Sequence, residues 1–258
     1  LSAYGECPYR FYLERVLDLG DRGRHFNRMA DEMATAPGPG PAGREERTAR
    51  GAAVHSLLEW SQANDWQEPS EETARRHAVA AGLDPRADGA LDDLLAPVRA
   101  WLGSALLRDR VRGGGAVRAE VPILLGIEGA VLRGSIDLLV ERPGAAPLVV
   151  DYKTDRLNGS SPTDHASRYA IQRDIYALAV AEARQAEEVE VAYVFLEQSG
   201  EPVATSFDTA KLDAARGRLA DTVKRIRDGE FTPASLENRD RALCGDCPAL
   251  GLMCSGPR

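Results

Sequence analysis

Long apolar runs are missing from the sequence. No hydrophobic stretch approaches the about 20 residues that a membrane-spanning helix needs, and no signal-peptide pattern opens the chain. The phosphate-binding pattern G-x4-G-K-[ST] is absent as well, so any ATPase would have to lie outside these residues. We therefore expect no membrane partner and, by default, a cytoplasmic location.

An excess of positive charge is also missing. Among 258 residues, 32 Lys and Arg stand against 40 Asp and Glu, and the formal net charge is −8. The chain as a whole therefore lacks the basic character typical of nucleic-acid-binding domains. Arginines do cluster at 22–28 and at 108–118, although such clusters are usually solvated faces. Charge alone leaves the partner undecided.

Cysteine is scarce and unevenly placed. Cys7 stands alone near the start, whereas Cys244, Cys247 and Cys254 follow within eleven residues near the end. In a cytoplasmic chain this grouping favours metal binding over disulfides. A [4Fe–4S] cluster and a structural Zn²⁺ both suit four thiolates, and free buried cysteines are the remaining alternative.

The order of periodic segments predicts an α/β fold, with a mixed β-sheet flanked by helices. Helices are expected at 7–19, 44–62, 70–107, 164–183 and 209–228, and strands at 116–125, 130–141, 147–153, 189–197 and 202–208. We expect a single domain over 1–258. Its parts are an N-terminal cysteine helix (1–33), a flexible Pro/Gly-rich loop (34–46), a core (47–208) with a helical insertion (70–107), and a C-terminal helix with the cysteine cluster (209–258).

Acidic residues interrupt two of the apolar strands. Asp151 and Lys153 lie two apart and so share a strand face, and Asp137 lies among apolar residues of the preceding strand. Two buried carboxylates on neighbouring strands repel unless a cation such as Mg²⁺ compensates them. This pattern favours metal-assisted phosphodiester hydrolysis, with the lysine positioning water. A buried Asp137–Lys153 ion pair, with Asp151 at the strand end, is the alternative.

Two helical patterns flank these strands. In Gly51-x3-His55 the imidazole is a reasonable further metal ligand, and the glycine permits close approach of the helix. Gln172 and Tyr176 share one face of the later helix, where they could hydrogen-bond DNA. Each pattern is common by itself, since a lone histidine is more often structural and a tyrosine more often packs in a core.

In this order the residues resemble the RecB-type branch of the PD-(D/E)xK nuclease superfamily. The motifs are G-x3-H (Gly51, His55), G-x2-D (Gly134, Asp137), D-x-K (Asp151, Lys153) and Q-x3-Y (Gln172, Tyr176). The resemblance implies a restriction-endonuclease-like fold and Mg²⁺- or Mn²⁺-dependent DNA cleavage. The products would be 5′-phosphate and 3′-hydroxyl ends, formed without a covalent enzyme intermediate.

The same resemblance assigns roles to individual residues. It implies that His55, Asp137, Asp151 and the backbone carbonyl of Tyr152 hold the metal, with Lys153 positioning the nucleophilic water. Gln172 and Tyr176 would contact DNA near the cleavage site. Glu120 matches an acidic position of the family, and we expect it to support the metal ligands rather than bind the metal directly.

The cysteines extend the resemblance to both chain ends. AddB-like helicase–nuclease subunits and some CRISPR-associated relatives similarly have one cysteine before the fold and three after it, joined by an iron–sulfur cluster. This implies that Cys7, Cys244, Cys247 and Cys254 hold a [4Fe–4S] cluster, with Zn²⁺ as the alternative. The six-residue gap before Cys254 departs from the commoner five. Because the link would close a very long loop, we expect a structural staple rather than an electron carrier.

The resemblance also suggests a biological setting. We expect the nuclease domain of a recombination and repair helicase–nuclease, acting on single-stranded DNA beside a helicase or ATPase partner. The start at Leu1 rather than Met favours a piece of a longer polypeptide. A stand-alone or CRISPR-adaptation-type nuclease, a non-catalytic DNA-binding scaffold of the same fold and a zinc-stabilised protein-interaction domain remain alternatives.

Overall fold

The structure is a computed structural model that describes residues 1–19, 41–113, 115–157, 159–198, 202–239, 241–245, 247–251 and 253–255. The chain divides into two compact units. The terminal unit contains residues 1–46 and 221–258, and the core unit contains residues 47–220. Residues 20–33 of the predicted cysteine-helix segment and residues 34–40 of the predicted loop lie outside the described residues.

Helices make up most of the terminal unit and of the first part of the core unit. The described α-helices are α1 (Ser2–Glu6), α2 (Pro8–Phe11), α3 (Pro41–Ala63), α4 (Glu71–Ala80), α5 (Ala90–Leu102), α6 (Pro162–Ala166), α7 (Ala170–Arg184), α8 (Thr209–Arg227) and α9 (Arg241–Cys244). Within the described part of the chain, none combines the length and apolar character needed to cross a membrane.

Helix α3 begins at Pro41, before the helix predicted from residue 44, so residues 41–46 of the loop predicted at 34–46 are helical. Proline suits the first turn of a helix, where its missing N–H has no intrahelical partner to lose and its fixed φ is already helical. The predicted helical insertion at 70–107 consists of α4, α5 and a π-helical turn that begins at Leu107. Ser70 caps α4, since its side chain accepts a hydrogen bond from the backbone N–H of Thr73.

A five-stranded mixed sheet confirms the predicted sheet core of the α/β fold. Its strands are β1 (Ala116–Ile127), β2 (Ala130–Glu141), β3 (Leu148–Lys153), β4 (Val189–Phe195) and β5 (Val203–Phe207), in the spatial order β1-β2-β3-β4-β5. Only β3 and β4 pair in parallel among the described strands, and the segment with α6 and α7 connects them. This connection carries the predicted Q-x3-Y motif along one side of β3.

The β1–β2 hairpin turns at Glu128 and Gly129. Both have positive φ, 48° and 70°, as a two-residue type I′ turn requires. Ile127 pairs with Ala130 across this turn, and the register then runs back to Ala116 opposite Glu141. The turn therefore sets which residues of the two strands face each other near Asp137.

The two faces of the sheet carry different side chains, as the period-two pattern of strands dictates. On one face, residues of α3, α4 and α5 form a buried core with strand residues that include Leu138, Val150 and Val194. On the other face, Tyr193 and Phe195 of β4 pack with Leu157 and Ala166. The C-terminal end of β3 thus emerges between two packed layers, which exclude most water from Asp151.

Aromatic packing joins both ends of the chain within the terminal unit. The rings of Tyr12 and Phe231 stack at 4.6 Å, and Tyr4 meets Phe11 edge to face at 5.6 Å. The Tyr4 hydroxyl also donates a hydrogen bond to the backbone carbonyl of Glu230 at 2.7 Å. The two chain ends are therefore held near each other by direct contacts.

Candidate active site

Asp137 lies where β2 and β3 separate. These strands pair over Leu138–Val140 and Leu148–Val150. Beyond that ladder, the Asp137 side chain takes over as acceptor, and its Oδ2 receives the backbone N–H of Tyr152 at 2.7 Å. Its Oδ1 lies 3.5 Å from His55 Nδ1. One carboxylate therefore connects the His55 helix α3 with the end of β3.

Glu120 faces Asp137 across a break in the β1–β2 ladder, between the pairs Ala119–Leu138 and Val121–Ile136. Its φ of 48° lies in the left-handed region, which a non-glycine residue enters only at a cost. The Ser135 hydroxyl donates a hydrogen bond to its carboxylate at 2.9 Å.

His55, Glu120 and Asp137 bring one ligand atom each into a common space. All three atoms lie within 4.8 Å of one another, and this is the group of three metal-ligating side chains found in the described part of the chain. An imidazole and two carboxylates suit Mg²⁺ or Mn²⁺. The donor set therefore fits a divalent cation.

Asp151 is not one of the three ligands in this group; it interacts electrostatically with His55 and Asp137 and pairs with Lys153. Its side chain is 2% exposed, and its Oδ2 is 2.7 Å from Lys153 Nζ. This contact is an ion pair without good hydrogen-bond geometry, so Oδ2 remains a buried oxygen lacking a well-formed hydrogen bond among the described residues. Lys153 thus pairs with Asp151, and not with Asp137 as the ion-pair alternative supposed.

A hydrogen-bond chain leads from Lys153 to β2 through the Q-x3-Y motif. Lys153 Nζ donates to Gln172 Oε1 at 2.8 Å, and Gln172 Nε2 donates to the Tyr176 hydroxyl at 2.8 Å. That hydroxyl donates to the backbone carbonyl of Ser135, again at 2.8 Å. The motif therefore orders Lys153, and a DNA contact by Gln172 or Tyr176 stays a prediction.

Gly51 lets α3 approach the end of β3. A methyl group at this position would lie 3.2 Å from the Thr154 hydroxyl oxygen, which is tighter than an ordinary contact. The neighbouring Arg50 donates from Nη1 to the Thr154 backbone carbonyl at 3.3 Å. The close approach expected of the G-x3-H motif is thus present, and it brings His55 to Asp137.

Burial and neighbouring charges shift the protonation of this site. Burial raises the pKa of Asp151 to about 6; the Lys153 charge opposes that rise, and the Asp137 charge adds to it. Burial lowers the pKa of His55, but its hydrogen bond to Asp137 and the surrounding negative charges outweigh burial, so the pKa is raised overall. Both groups therefore hold protons more tightly than they would in water.

The four cysteines meet in the terminal unit. All are free thiols, and they line one pocket together with Tyr9 and Arg10. Cys244 and Cys247 are each 8% exposed. Burial raises the pKa of the Cys247 thiol, although a backbone hydrogen bond at Ala249 and the Arg10 charge oppose the rise. The four thiols therefore share one pocket in the described part of the chain.

Residues 1–252 match the family model described as the PD-(D/E)XK nuclease superfamily. The chain belongs to this superfamily. Its members use divalent metal ions, which agrees with the donor set of His55, Glu120 and Asp137. The restriction-endonuclease-like fold and the nuclease identity expected from the four motifs are thus confirmed at the level of the superfamily.

Other comparisons add little to that assignment. No curated protein matches the sequence. Among solved structures, the fold is similar to that of SSO0001, with a TM-score of 0.38, 15% identity, and 80% of this chain and 84% of that chain covered. It is also similar to a candidate exonuclease from Eubacterium rectale, with a TM-score of 0.36, 13% identity, and coverages of 79% and 91%.

Tyr169 and Asp155 lie at the site without belonging to any of the four motifs. Lys153 Nζ is 4.1 Å from the centre of the Tyr169 ring, and the Tyr169 hydroxyl donates a hydrogen bond to the Asp155 carboxylate. Tyr169 precedes Gln172 by three residues, about one helical turn. An aromatic residue at that spacing is the signal that could have found it.

Proposed function

We propose that the chain is a Mg²⁺- or Mn²⁺-dependent DNA nuclease that leaves 5′-phosphate and 3′-hydroxyl ends. One observation carries this proposal: the ligand atoms of His55, Glu120 and Asp137 converge within 4.8 Å. Asp151, which forms a buried ion pair with Lys153, interacts electrostatically with His55 and Asp137. In a chain of the PD-(D/E)XK superfamily, this arrangement supports hydrolysis more directly than passive DNA binding.

In this proposal His55, Glu120 and Asp137 hold the cation, and Asp151 with the carbonyl of Tyr152 completes the set. Glu120 then acts as a ligand, a more direct role than the supporting one expected from its position in the sequence. A bound divalent ion supplies a lowered pKa for water and charge stabilisation at the phosphate. The excess negative charge of several clustered carboxylates gives the site its affinity for that ion.

Lys153 holds the attacking water or a phosphate oxygen beside this centre. Its ammonium carries three N–H donors, and two of its contacts are Asp151 and Gln172. A positioned cationic donor lowers the barrier by binding negative charge as it develops on the phosphate. Since the lysine side chain is 12% exposed, this donor keeps a defined direction.

The direct test mixes the purified protein with end-labelled single- and double-stranded DNA. Cleavage is expected with Mg²⁺ or Mn²⁺ and none with excess EDTA, because the clustered carboxylates need the ion. Products should be ligatable after annealing, which requires a 5′-phosphate and a 3′-hydroxyl. Asp151→Ala is the matched control for contaminating nucleases. A wild type that cuts no faster than this variant would favour the non-catalytic DNA-binding scaffold.

We expect divalent ions to stabilise the protein more at pH 8 than at pH 5. The pKa of Asp151 is about 6 in the folded protein and near 3.9 when unfolded, so the metal-free fold binds this proton more tightly. That linkage adds stability at low pH, and about 3 kcal/mol of it is lost as the pH rises through 6. The raised pKa of His55 acts in the same direction.

Thermal unfolding with and without 10 mM Mg²⁺ across this pH range measures the effect. At pH 8 Asp151 has lost its proton and can bind the ion, whereas at pH 5 the proton competes with it. Asp213→Asn, an exposed change on α8, should follow the wild-type curve. A Mg²⁺-induced rise in Tm that is the same at both pH values would contradict the assignment of Asp151 and His55 to the cation.

For the terminal unit we propose that Cys7, Cys244, Cys247 and Cys254 hold a structural [4Fe–4S] cluster. Their shared pocket supports a metal centre, and the one-plus-three placement supports the cluster over Zn²⁺. Cys244→Ala should lose the visible absorbance and about four moles of iron per mole of protein, and its Tm should fall together with them. Arg239→Lys at the pocket wall is a control with all thiols kept. If the wild-type protein contained zinc and no iron, the four cysteines would form a zinc site and the cluster proposal would be wrong.

The biological setting we propose is a recombination or repair nuclease that works with a helicase or ATPase partner on single-stranded DNA. Support comes from the motif order and the cysteine placement alone. A stand-alone nuclease of CRISPR-adaptation type uses the same residues. Cleavage by the isolated chain at full rate, unchanged by any added motor protein, would favour that second function.

A further inference from the structure

We propose that Tyr169 is a positioning residue whose ring face holds the ammonium of Lys153 beside the cation site. The inference rests on the proposed nuclease function and deepens it, since it concerns the same lysine. The carrying observation is the distance of 4.1 Å between Lys153 Nζ and the centre of the Tyr169 ring. A second ring, that of Tyr193, lies 5.2 Å from the same atom.

These distances place the Lys153 ammonium near the rings of two tyrosines, Tyr169 and Tyr193. A cation within about 6 Å of a ring centre is attracted by the negative face of the ring, and more strongly when water is excluded. The Lys153 side chain is only 12% exposed, and Tyr193 is fully buried. The attraction at Lys153 therefore belongs to the stronger, partly desolvated kind.

The Tyr169 ring is itself held from three sides. Its hydroxyl donates to the Asp155 carboxylate, and its backbone carbonyl accepts the Tyr193 hydroxyl at 2.8 Å. Tyr169 is the last residue of the 3-10 turn Ser167–Tyr169 and directly precedes α7, the helix that contains Gln172. The segment after β3, strand β4 and the start of helix α7 thus fix the ring relative to the lysine that it contacts.

A neutral partner such as Tyr169 is useful to Lys153 because the charged partner, Asp151, also interacts with the cation in the proposed reaction. In the proposed reaction Asp151 also faces the divalent cation, so its attraction for the ammonium is shared, and the cation repels that ammonium. The ring of Tyr169 and the amide of Gln172 carry no net charge, and their hold on Lys153 does not depend on Asp151. They keep the ammonium beside the cation instead of letting it swing towards solvent.

The decisive experiment lowers the electron density of the ring at position 169 in steps while nearly keeping its size. Phenylalanine and its mono-, di- and trifluorinated analogues are placed at position 169 by nonsense suppression, and kcat and KM are measured on end-labelled single-stranded DNA with Mg²⁺. Fluorine withdraws electron density from the ring face, so kcat should fall stepwise by about 2- to 30-fold in total. KM should not change, and Tyr169→Phe should stay within about threefold of wild type.

The same analogues at Phe195 give the matched control. Phe195 packs in the same buried cluster, with its ring centre 6.4 Å from that of Tyr169, so it reports effects of fluorine on packing. A flat kcat series at 169, or one equal to the series at 195, would overturn the inference. A change in KM with kcat constant would do so too and would mark Tyr169 as a DNA-stacking residue. Failure of wild type to cut would instead refute the nuclease proposal, and this inference with it.

Discussion

Asp137→Asn should lower DNA cleavage by at least about a thousandfold, equivalent to ~4 kcal/mol of transition-state stabilisation. Asp137 connects helix α3 with the end of strand β3. It contacts His55 and accepts the Tyr152 N–H, and it belongs to the ligand group with Glu120. Asparagine keeps the size and one acceptor oxygen, but it removes the negative charge that draws a cation.

The same substitution should abolish the Mg²⁺-induced rise in Tm, because a ligand stabilises a fold only as far as it binds. Without added metal the variant should unfold near the wild-type temperature, since the hydrogen bond from Tyr152 can be kept. Asp213→Asn, on the exposed face of α8, serves as a charge-matched control for both assays. Cleavage by Asp137→Asn within tenfold of wild type would remove this carboxylate from the proposed centre.

Lys153→Met should lower kcat by about a hundredfold or more while leaving the metal bound. Methionine retains an apolar stem of similar length for the contact with the Tyr169 ring, but it cannot donate to water or phosphate. Removing the ammonium also takes away the charge that lowers the pKa of Asp151, so that pKa should rise further. Raising the assay pH to 8.5 favours the ionised form of Asp151 and so helps to separate the two effects.

A split between catalysis and metal binding distinguishes Lys153 from the ligands. The Mg²⁺-induced rise in Tm should persist in Lys153→Met at pH 8.5, whereas it disappears in Asp137→Asn. Lys211→Met is the control, because Lys211 is exposed and donates to the backbone carbonyl of Ser206. If Lys153→Met loses metal binding together with cleavage, its role is to maintain the site and not to act on the substrate.

Much of the core could be predicted because its chemistry is local. Alternation and apolar runs located β1 to β5, and Asp151 and Lys153 share a strand face by period two alone. Gln172 and Tyr176 share a helix face by the same kind of argument. These relations need no knowledge of distant contacts, so the residue pattern was sufficient for them.

The partners within the site were harder to predict. Asp137 and Asp151 were both reasonable partners for Lys153; in the structure Asp137 contacts His55 and the Tyr152 N–H, and Asp151 pairs with Lys153. Glu120 was expected to support the ligands, and the structure places its carboxylate in one group with His55 and Asp137, at a residue with a left-handed φ. A backbone dihedral at one break in a ladder has no signature in residue identity when the residue is not glycine.

By itself, the sequence determined the motif residues, their order on strands and helices, and the gathering of cysteines at both chain ends. Only the tertiary structure decided which acid pairs with the lysine, that Glu120 joins His55 and Asp137, and that an aromatic ring lies against the ammonium. The physical reason is range: strand and helix periodicity act over a few residues, whereas these contacts depend on how separate segments pack and where a ladder breaks.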